Sequence, residues 1–379
     1  MQKIVYKSNL DYMDYMRAFA ILIVVGGHTL LFGHYKHHVW NSTVYFFGGG
    51  TFLFVFIAGF LFQYLSYKFN YISYLKKKFS NVILPYWLTI LPVAVIFAFT
   101  CNDKINFFHD KALCIKLLNP LLWGEIVAAP LWFIPMIVVI FLVAPLLIRL
   151  FRCKVLWYSL LLFGLIYISY QSPYVLDFDA LVRHGHSYSI LRWNIYCGIL
   201  NIGRTLHFLP VYMLGMTICD IAERYFDYIK THSLVLSKIF FISYVMCYFL
   251  FVWILELSNG QQPIKALLLT FSVLFFFMGY EDKIRTKLWL YNTLKFLAKY
   301  SFGIFFVHMY FANLLFQHTV YRKFDYVYYQ YNYENSILCL LHVIGDFVFV
   351  LAGSILLLLI IKFILTKLGV KNTRKFIGA

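Results

Sequence analysis

The sequence predicts an all-α integral membrane protein: a bundle of about 10 transmembrane helices with both termini in the cytoplasm. Three observations carry this. The chain is 62% hydrophobic and only 13% charged, with a mean hydropathy of +0.75, values that no soluble chain of 379 residues sustains. Apolar runs of the length needed to cross about 30 Å of hydrocarbon recur along the whole chain. The Lys and Arg residues gather in alternate gaps between those runs.

The runs fall near 14–33, 43–66, 81–100, 131–150, 155–171, 204–222, 234–256, 263–280, 296–318 and 336–365. One set of gaps holds Lys3 and Lys7, then Lys68 with Lys76, Lys77 and Lys78, then Arg149, Arg152 and Lys154. It continues with Arg224 and Lys230, then Lys283, Arg285, Lys287 and Lys295, and ends with Lys367, Lys371, Arg374 and Lys375. The other set holds less than half as many: Lys36, Lys104, Lys111, Lys116, Arg183, Arg192, Arg322 and Lys323. The positive-inside rule puts the first set in the cytoplasm, which requires an even number of spans. The net charge of +17 then reads as cytoplasmic loops meeting anionic headgroups, with membrane lipids as the partner and no nucleic acid.

The first run follows "MQKIVYKSNLDYMDYM" with no small-residue cleavage site behind it, so it is expected to stay in the mature protein. The longest gaps, 101–130 and 172–203, are placed outside; they contain "WGEIVAAP" and "DFDALVRHGHSYSILRW", suited to interfacial helices or a substrate entrance. No repeat or linker divides the chain, and residues 1–379 read as a single transmembrane domain without an appended soluble catalytic domain. The seven cysteines form no C-x-x-C, so no metal site is expected; Cys101, Cys114 and Cys197 lie on the outer side.

Within "MRAFAILIVVGGHTLLFG", Arg17 and His28 are eleven residues apart. On a helix this places them within about 20° of one face and about 16 Å apart along the axis. Arg17 fits either of two roles, anchoring to headgroups or contacting a bound ligand. His28 fits either an interhelical hydrogen bond or a functional group lining the bundle interior, and the cost of an intramembrane ionisable group favours the second. Gly26 and Gly27 allow close approach beside it.

An Arg, ten residues and a His in the first span is the signature that this chain shares with the acyltransferase-3 family, integral membrane enzymes of about ten helices that modify extracytoplasmic glycans. Further stretches resemble the family in order: "GGGTFLFVFIAGFLF", "YLKKKFSNVILPYW", "PLWFIPMIVVIFLVAPLL", "FLPVYMLGMTI" and "SFGIFFVHMYF", the last ending near His308. Two departures stand out. The family's Arg-x-x-Arg before the third-span proline corresponds here to Lys78 and Asn81, so the fork of a guanidinium is replaced by a point charge and a neutral amide. The family's Ser in the second span is Ala58, which removes a nucleophile there.

The resemblance implies an acetyl-CoA-dependent O-acetyltransferase in the bacterial cytoplasmic membrane. It would move an acyl group from cytoplasmic acyl-CoA to a hydroxyl of an extracytoplasmic or lipid-linked glycan, beside polysaccharide-biosynthesis partners. Arg17, Lys76, Lys77, Lys78 and Asn81 would then hold coenzyme A, and His28 would act as base or transient acyl carrier. His308 is a further catalytic candidate, with a packing role as its alternative. His342 and Asp346, four apart near the outer half of the last span, form either a structural pair or a carboxylate that orients a histidine. Arg204 and His207 are candidates either for glycan contact or for headgroup anchoring, and outer aromatics such as Trp123, Trp132, Tyr188, Trp193 and Tyr196 suit either sugar stacking or an interfacial belt.

Two other function classes fit the same intramembrane residues. One is polysaccharide export, with Arg17 and His28 lining a conduit. The other is a haem-type cofactor protein using His28 and His308 as ligands.

Overall fold

A computed structural model describes residues 10–32, 48–100, 121–124, 129–171, 190–250, 263–318 and 336–378. Among them there are helices and turns and no strand. In chain order the helices are α1 (Asp11–Phe32), α2 (Gly50–Tyr64), α3 (Tyr71–Lys78), α4 (Leu84–Thr100), α5 (Phe133–Cys153) and α6 (Val155–Gln171). They continue with α7 (Ile190–Arg224), α8 (Phe226–Phe249), α9 (Pro263–Thr286), α10 (Leu288–His318), α11 (Ser336–Lys367) and α12 (Arg374–Ile377). A π-helical turn, Phe79–Ile83, links α3 directly to α4.

Each of the ten apolar runs overlaps a helix among the described residues, because an apolar stretch in lipid satisfies its backbone only by bonding to itself. Among the described residues, length and composition qualify five stretches to cross a membrane: Phe133–Cys153, Asn194–Arg224, Phe226–Phe249, Pro263–Thr286 and Ile344–Lys367. Much of their surface is apolar and outward; Phe363 of α11 is 64% exposed. In water this would be an aggregation surface, and in a bilayer it is the lipid face. Pro92, Pro145 and Pro210 lie inside α4, α5 and α7.

The described chain forms two compact units. The first comprises residues up to Tyr67 with Val211–Ile361, hence α1, α2, the later part of α7, α8, α9, α10 and most of α11. Here α1 packs chiefly on α10 and also on α2 and α9. Lys295 of α10 meets Asp11 and His308 meets His28, so α1 and α10 run parallel. α9 is antiparallel to both: Glu281 reaches the Tyr12 amide, while Ala266 lies beside Gly49 at the other end.

Two glycines set the approach of α2 and α7. A Cβ on Gly59 would collide with the Tyr212 carbonyl, and one on Gly215 with the carbonyl of Phe56. The backbones touch there because neither residue has a side chain. α8 and α9 are clasped by reciprocal bonds, Ser237 Oγ donating to the Ser272 carbonyl at 2.9 Å and Ser272 Oγ to the Ser237 carbonyl at 3.2 Å.

The second unit comprises Lys68–Pro210 and Lys362–Gly378, hence α3 to α6, the first part of α7, the end of α11 and α12. The Asn70 side chain caps α3 by accepting from the Ser73 amide at 3.0 Å. α3 is held to α5 in part by the Tyr71 hydroxyl, which donates to the Leu142 carbonyl. α12 lies against α4 and the π-helical turn. The entrance segments around "WGEIVAAP" and "DFDALVRHGH", with Cys101, Cys114 and Tyr188, fall largely or wholly outside the described residues.

Candidate functional site: a histidine pair above a charge network

Packing α1 parallel to α10 brings His28 and His308 together, with ring centroids 5.3 Å apart and planes inclined by 40°. His308 is fully buried, whereas His28 keeps part of its surface accessible. The Nδ1 of His308 lies 3.0 Å from the Ile304 carbonyl one turn earlier. A carbonyl only accepts, so Nδ1 carries the proton and Nε2 presents its lone pair. That Nε2 is buried and has no hydrogen-bond partner among the described residues. The backbone thus favours one tautomer and leaves the other nitrogen without a partner among the described residues, in a setting where a lone polar atom is costly.

α11 passes beside α1 at the same level: a Cβ on Gly26 would lie 3.8 Å from the Phe347 ring. Asp346, the preceding residue, is 3% exposed. His342 lies one turn earlier on α11, but its side chain is outside the described part, as is that of Trp193. Lys265 of α9, which the hydropathy pattern hides inside an apolar run, is 1% exposed. Its neighbour Ala266 abuts Gly49, and the adjacent Gly50 abuts Val24. Lys265 therefore belongs to the His28 end of this unit.

At the opposite end of α1 lies an alternating chain of charges. Arg17 pairs with Asp14 at 3.2 Å, and Asp14 also accepts from Lys295 at 2.7 Å. Lys295 bridges to Asp11 at 2.6 Å, and Asp11 to Arg285 at 2.7 Å. Arg285 reaches Glu281 at 3.1 Å, and Lys230 closes the series on Asp282 at 2.9 Å. Asp11 and Glu281 are almost fully buried, so each needs its cations. Burial raises the Asp11 carboxyl pKa, but the hydrogen bonds from Lys295 and Arg285 outweigh it and hold the group below the usual carboxylate value. Lys295 shows the converse, its ammonium pushed up by Asp11 and Asp14 against the cost of burial.

Lys230, Arg285 and Lys295, expected among the loop cations, pair with acids on other helices. Arg17 pairs with Asp14 one turn away. Sequence reading missed the network because its acids were counted only as a small minority of charges. Asp11 and Asp14 at the start of α1 were the available signal.

The remaining candidates lie in the second unit. Lys76 and Lys77 are exposed at the end of α3, and Lys78 turns back over the Phe141 ring at 4.3 Å and the Tyr74 ring at 5.3 Å. Asn81 sits in the π-helical turn, a distortion that recurs at functional sites. Arg204 stacks over Trp132 at 4.8 Å from the ring centre, with Phe208 5.8 Å away from the same ring. His207 is buried beside Ser169, whose hydroxyl lies 3.3 Å from His207 Nδ1 and 3.0 Å from the His207 carbonyl. Arg204, His207 and Trp132 therefore form one cluster, separate in sequence and in unit from the histidine pair. Among the described residues no group of three or more His, Cys, Asp or Glu assembles to hold a metal ion.

No curated protein and no solved structure matches this chain. A family match covers nearly all of it: the acyltransferase domain aligns with residues 10–363, spanning α1 to most of α11 and including both histidines. The family carries an acyl donor requirement and acyl-transfer activity with it, which accords with a basic imidazole nitrogen held inside a helical membrane protein. On that match, the chain belongs to the acyltransferase-3 family.

Proposed function

We propose that this protein is a membrane-embedded O-acetyltransferase with ten spans and cytoplasmic termini. It takes the acetyl group of acetyl-CoA from the cytoplasmic side and places it on a hydroxyl of an extracytoplasmic or lipid-linked glycan in the bacterial cytoplasmic membrane. The observation that carries this reading is the His28–His308 pair, with His308 Nδ1 tied to Ile304 and Nε2 buried without a partner. One imidazole is enough for the proton transfer. As the acceptor hydroxyl adds to the acyl carbonyl, its proton passes to the basic nitrogen; the carbon–sulfur bond then breaks, and the proton goes to the departing thiolate.

His28, the accessible member, is the group that meets the acceptor, and His308 packs beside it. Asp346 acts as a positioning residue at the same level, on its own or through His342. Arg17, released from Asp14 by a stronger anion, contacts the donor at the other end of α1, while Lys76, Lys77 and Lys78 supply charge for the coenzyme A phosphates, with Asn81 as a neutral donor. Arg204, His207 and Trp132 form the glycan-facing cluster.

The test is transfer from radiolabelled acetyl-CoA in membranes carrying wild type or His28→Ala. Label that enters a glycan fraction only with wild type supports the enzyme. Equal labelling with failed polymer export in the variant would replace it with the export reading.

A further inference from the structure

Charged side chains are spread unevenly over the described residues of the two units. In the first, Arg17, Arg224, Lys230, Arg285 and Lys295 each pair with a carboxylate. In the second, the described residues include Lys68, Lys76, Lys77, Lys78, Arg149, Arg152, Lys154, Lys362, Lys367, Lys371, Arg374 and Lys375, and no Asp or Glu at all. Of these, Lys76, Lys77, Arg374 and Lys375 are exposed, and exposed cations of this kind are available to anions from outside.

The fold gathers part of this set. α11 ends where Gly369, at φ +81°, turns the chain back, with the Val370 amide bonding to the Leu365 carbonyl and the Gly369 amide to the Thr366 carbonyl. After this turn, α12 docks on α4 and the π-helical turn, with Ile377 buried as its anchor. Arg374 and Lys375 remain exposed on that docked helix. The π-helical turn is the direct continuation of the last turn of α3, which ends in Lys76, Lys77 and Lys78. Lys78 is drawn over two rings, leaving Lys76 and Lys77 exposed. Two pairs of exposed cations nearly 300 residues apart in sequence thus lie on elements that both adjoin one distorted turn.

We propose that α12, through the side chains of Arg374 and Lys375, completes with Lys76 and Lys77 a site for clustered phosphates, and that its ligand is the phosphorylated nucleotide portion of the acyl donor. This rests on the acyltransferase reading above and deepens it. Arg374 brings to this site a guanidinium fork that Lys76 and Lys77 lack. Lipid headgroups offer the same phosphate chemistry, and the experiment separates the two sources.

The experiment uses the full chain in phosphatidylcholine nanodiscs. Binding of coenzyme A, and of dephospho-coenzyme A as the less charged probe, is measured by calorimetry for wild type, Arg374→Gln/Lys375→Gln and Arg149→Gln/Arg152→Gln. Thermal melting verifies that the variants fold, which is expected because Ile377 and the docking face are untouched. The expected result is a roughly tenfold weaker coenzyme A affinity for Arg374→Gln/Lys375→Gln, with less than twofold change for the Arg149 and Arg152 control. The donor KM rises similarly while kcat holds. Coenzyme A binding that is equal in wild type and the Arg374/Lys375 variant overturns the α12 site and leaves the donor reading standing. Wild type that binds no coenzyme A overturns both. If in that case addition of phosphatidylglycerol to the nanodiscs stabilises wild type but not the Arg374/Lys375 variant, the cations are headgroup anchors.

Discussion

His28 and His308 stand 5.3 Å apart, centre to centre, on two parallel helices whose sequences are separated by most of the chain. Each is an ionisable group in an otherwise apolar stretch, and each would be costly alone. Together they form a packed pair in which one nitrogen of His308 is committed to the backbone.

If the two rings work as a unit, their losses will not add. His28→Ala and His308→Gln are each expected to lower acetyl transfer by roughly 100-fold, with the double variant no worse than about either single. Single-turnover transfer in folded, detergent-purified protein measures this. Fully additive losses would separate the two residues.

Asp346 is buried at the level where α11 meets Gly26. Asp346→Asn keeps the shape and removes the charge. We expect a fall of about tenfold or more in kcat, a shifted pH–rate profile and little change in melting temperature. Wild-type transfer in a correctly folded Asp346→Asn protein would remove this residue from the positioning role.

The contact of α2 with α7 leaves no room for a methyl group. Gly59→Ala and Gly215→Ala should each force the helices apart, a cost of about 2 kcal/mol or more. The reduced yield of monodisperse protein and a lowered melting temperature would report it. Gly164→Ala, whose added methyl meets nothing within 4 Å, serves as the neutral comparison.

The Asp11 hub links α1 to α9 and α10. Asp11→Asn leaves Lys295 and Arg285 short of their shared acceptor and should cost on the order of 2 kcal/mol, discounted for their partial exposure. Because the folded carboxyl titrates below its ordinary value of 3.8, its stabilisation is fully present above that pH and is lost as pH falls through the lower folded value. Melting curves from pH 7 down to about 3 should therefore show the wild-type advantage over Asp11→Asn holding to about pH 4 and shrinking below it. An advantage independent of pH would dismiss the ionised hub.

Much of the architecture is legible in the sequence because hydropathy is local. An apolar run in lipid has to close its own hydrogen bonds, so the helical character of the described residues follows from composition, and five of the helices are long and apolar enough to cross a membrane. The same logic singles out His28 and His308 as polar residues set in apolar helices, whereas Lys78 and Asn81 stand out before Pro85 only through the resemblance to the family. Helix ends were less legible. α7 starts well before the run at 204–222, since a membrane helix continues past its apolar segment wherever the chain keeps bonding to itself.

Pairing between distant residues was decided by tertiary structure alone. Arg285 bonds to Asp11 across 274 residues, and no periodicity within either helix encodes that choice. It depends on the parallel packing of α1 with α10 and the antiparallel packing of α9, which set which charges meet at one end and which imidazoles meet at the other. The close approach of Gly59 to Tyr212 and the docking of α12 on the π-helical turn are of the same kind. Sequence alone therefore determined that this chain is helical, apolar and marked by rare intramembrane ionisable groups; only the register between helices decided which of those groups act together, because side-chain contact is a property of packed surfaces and not of any single segment.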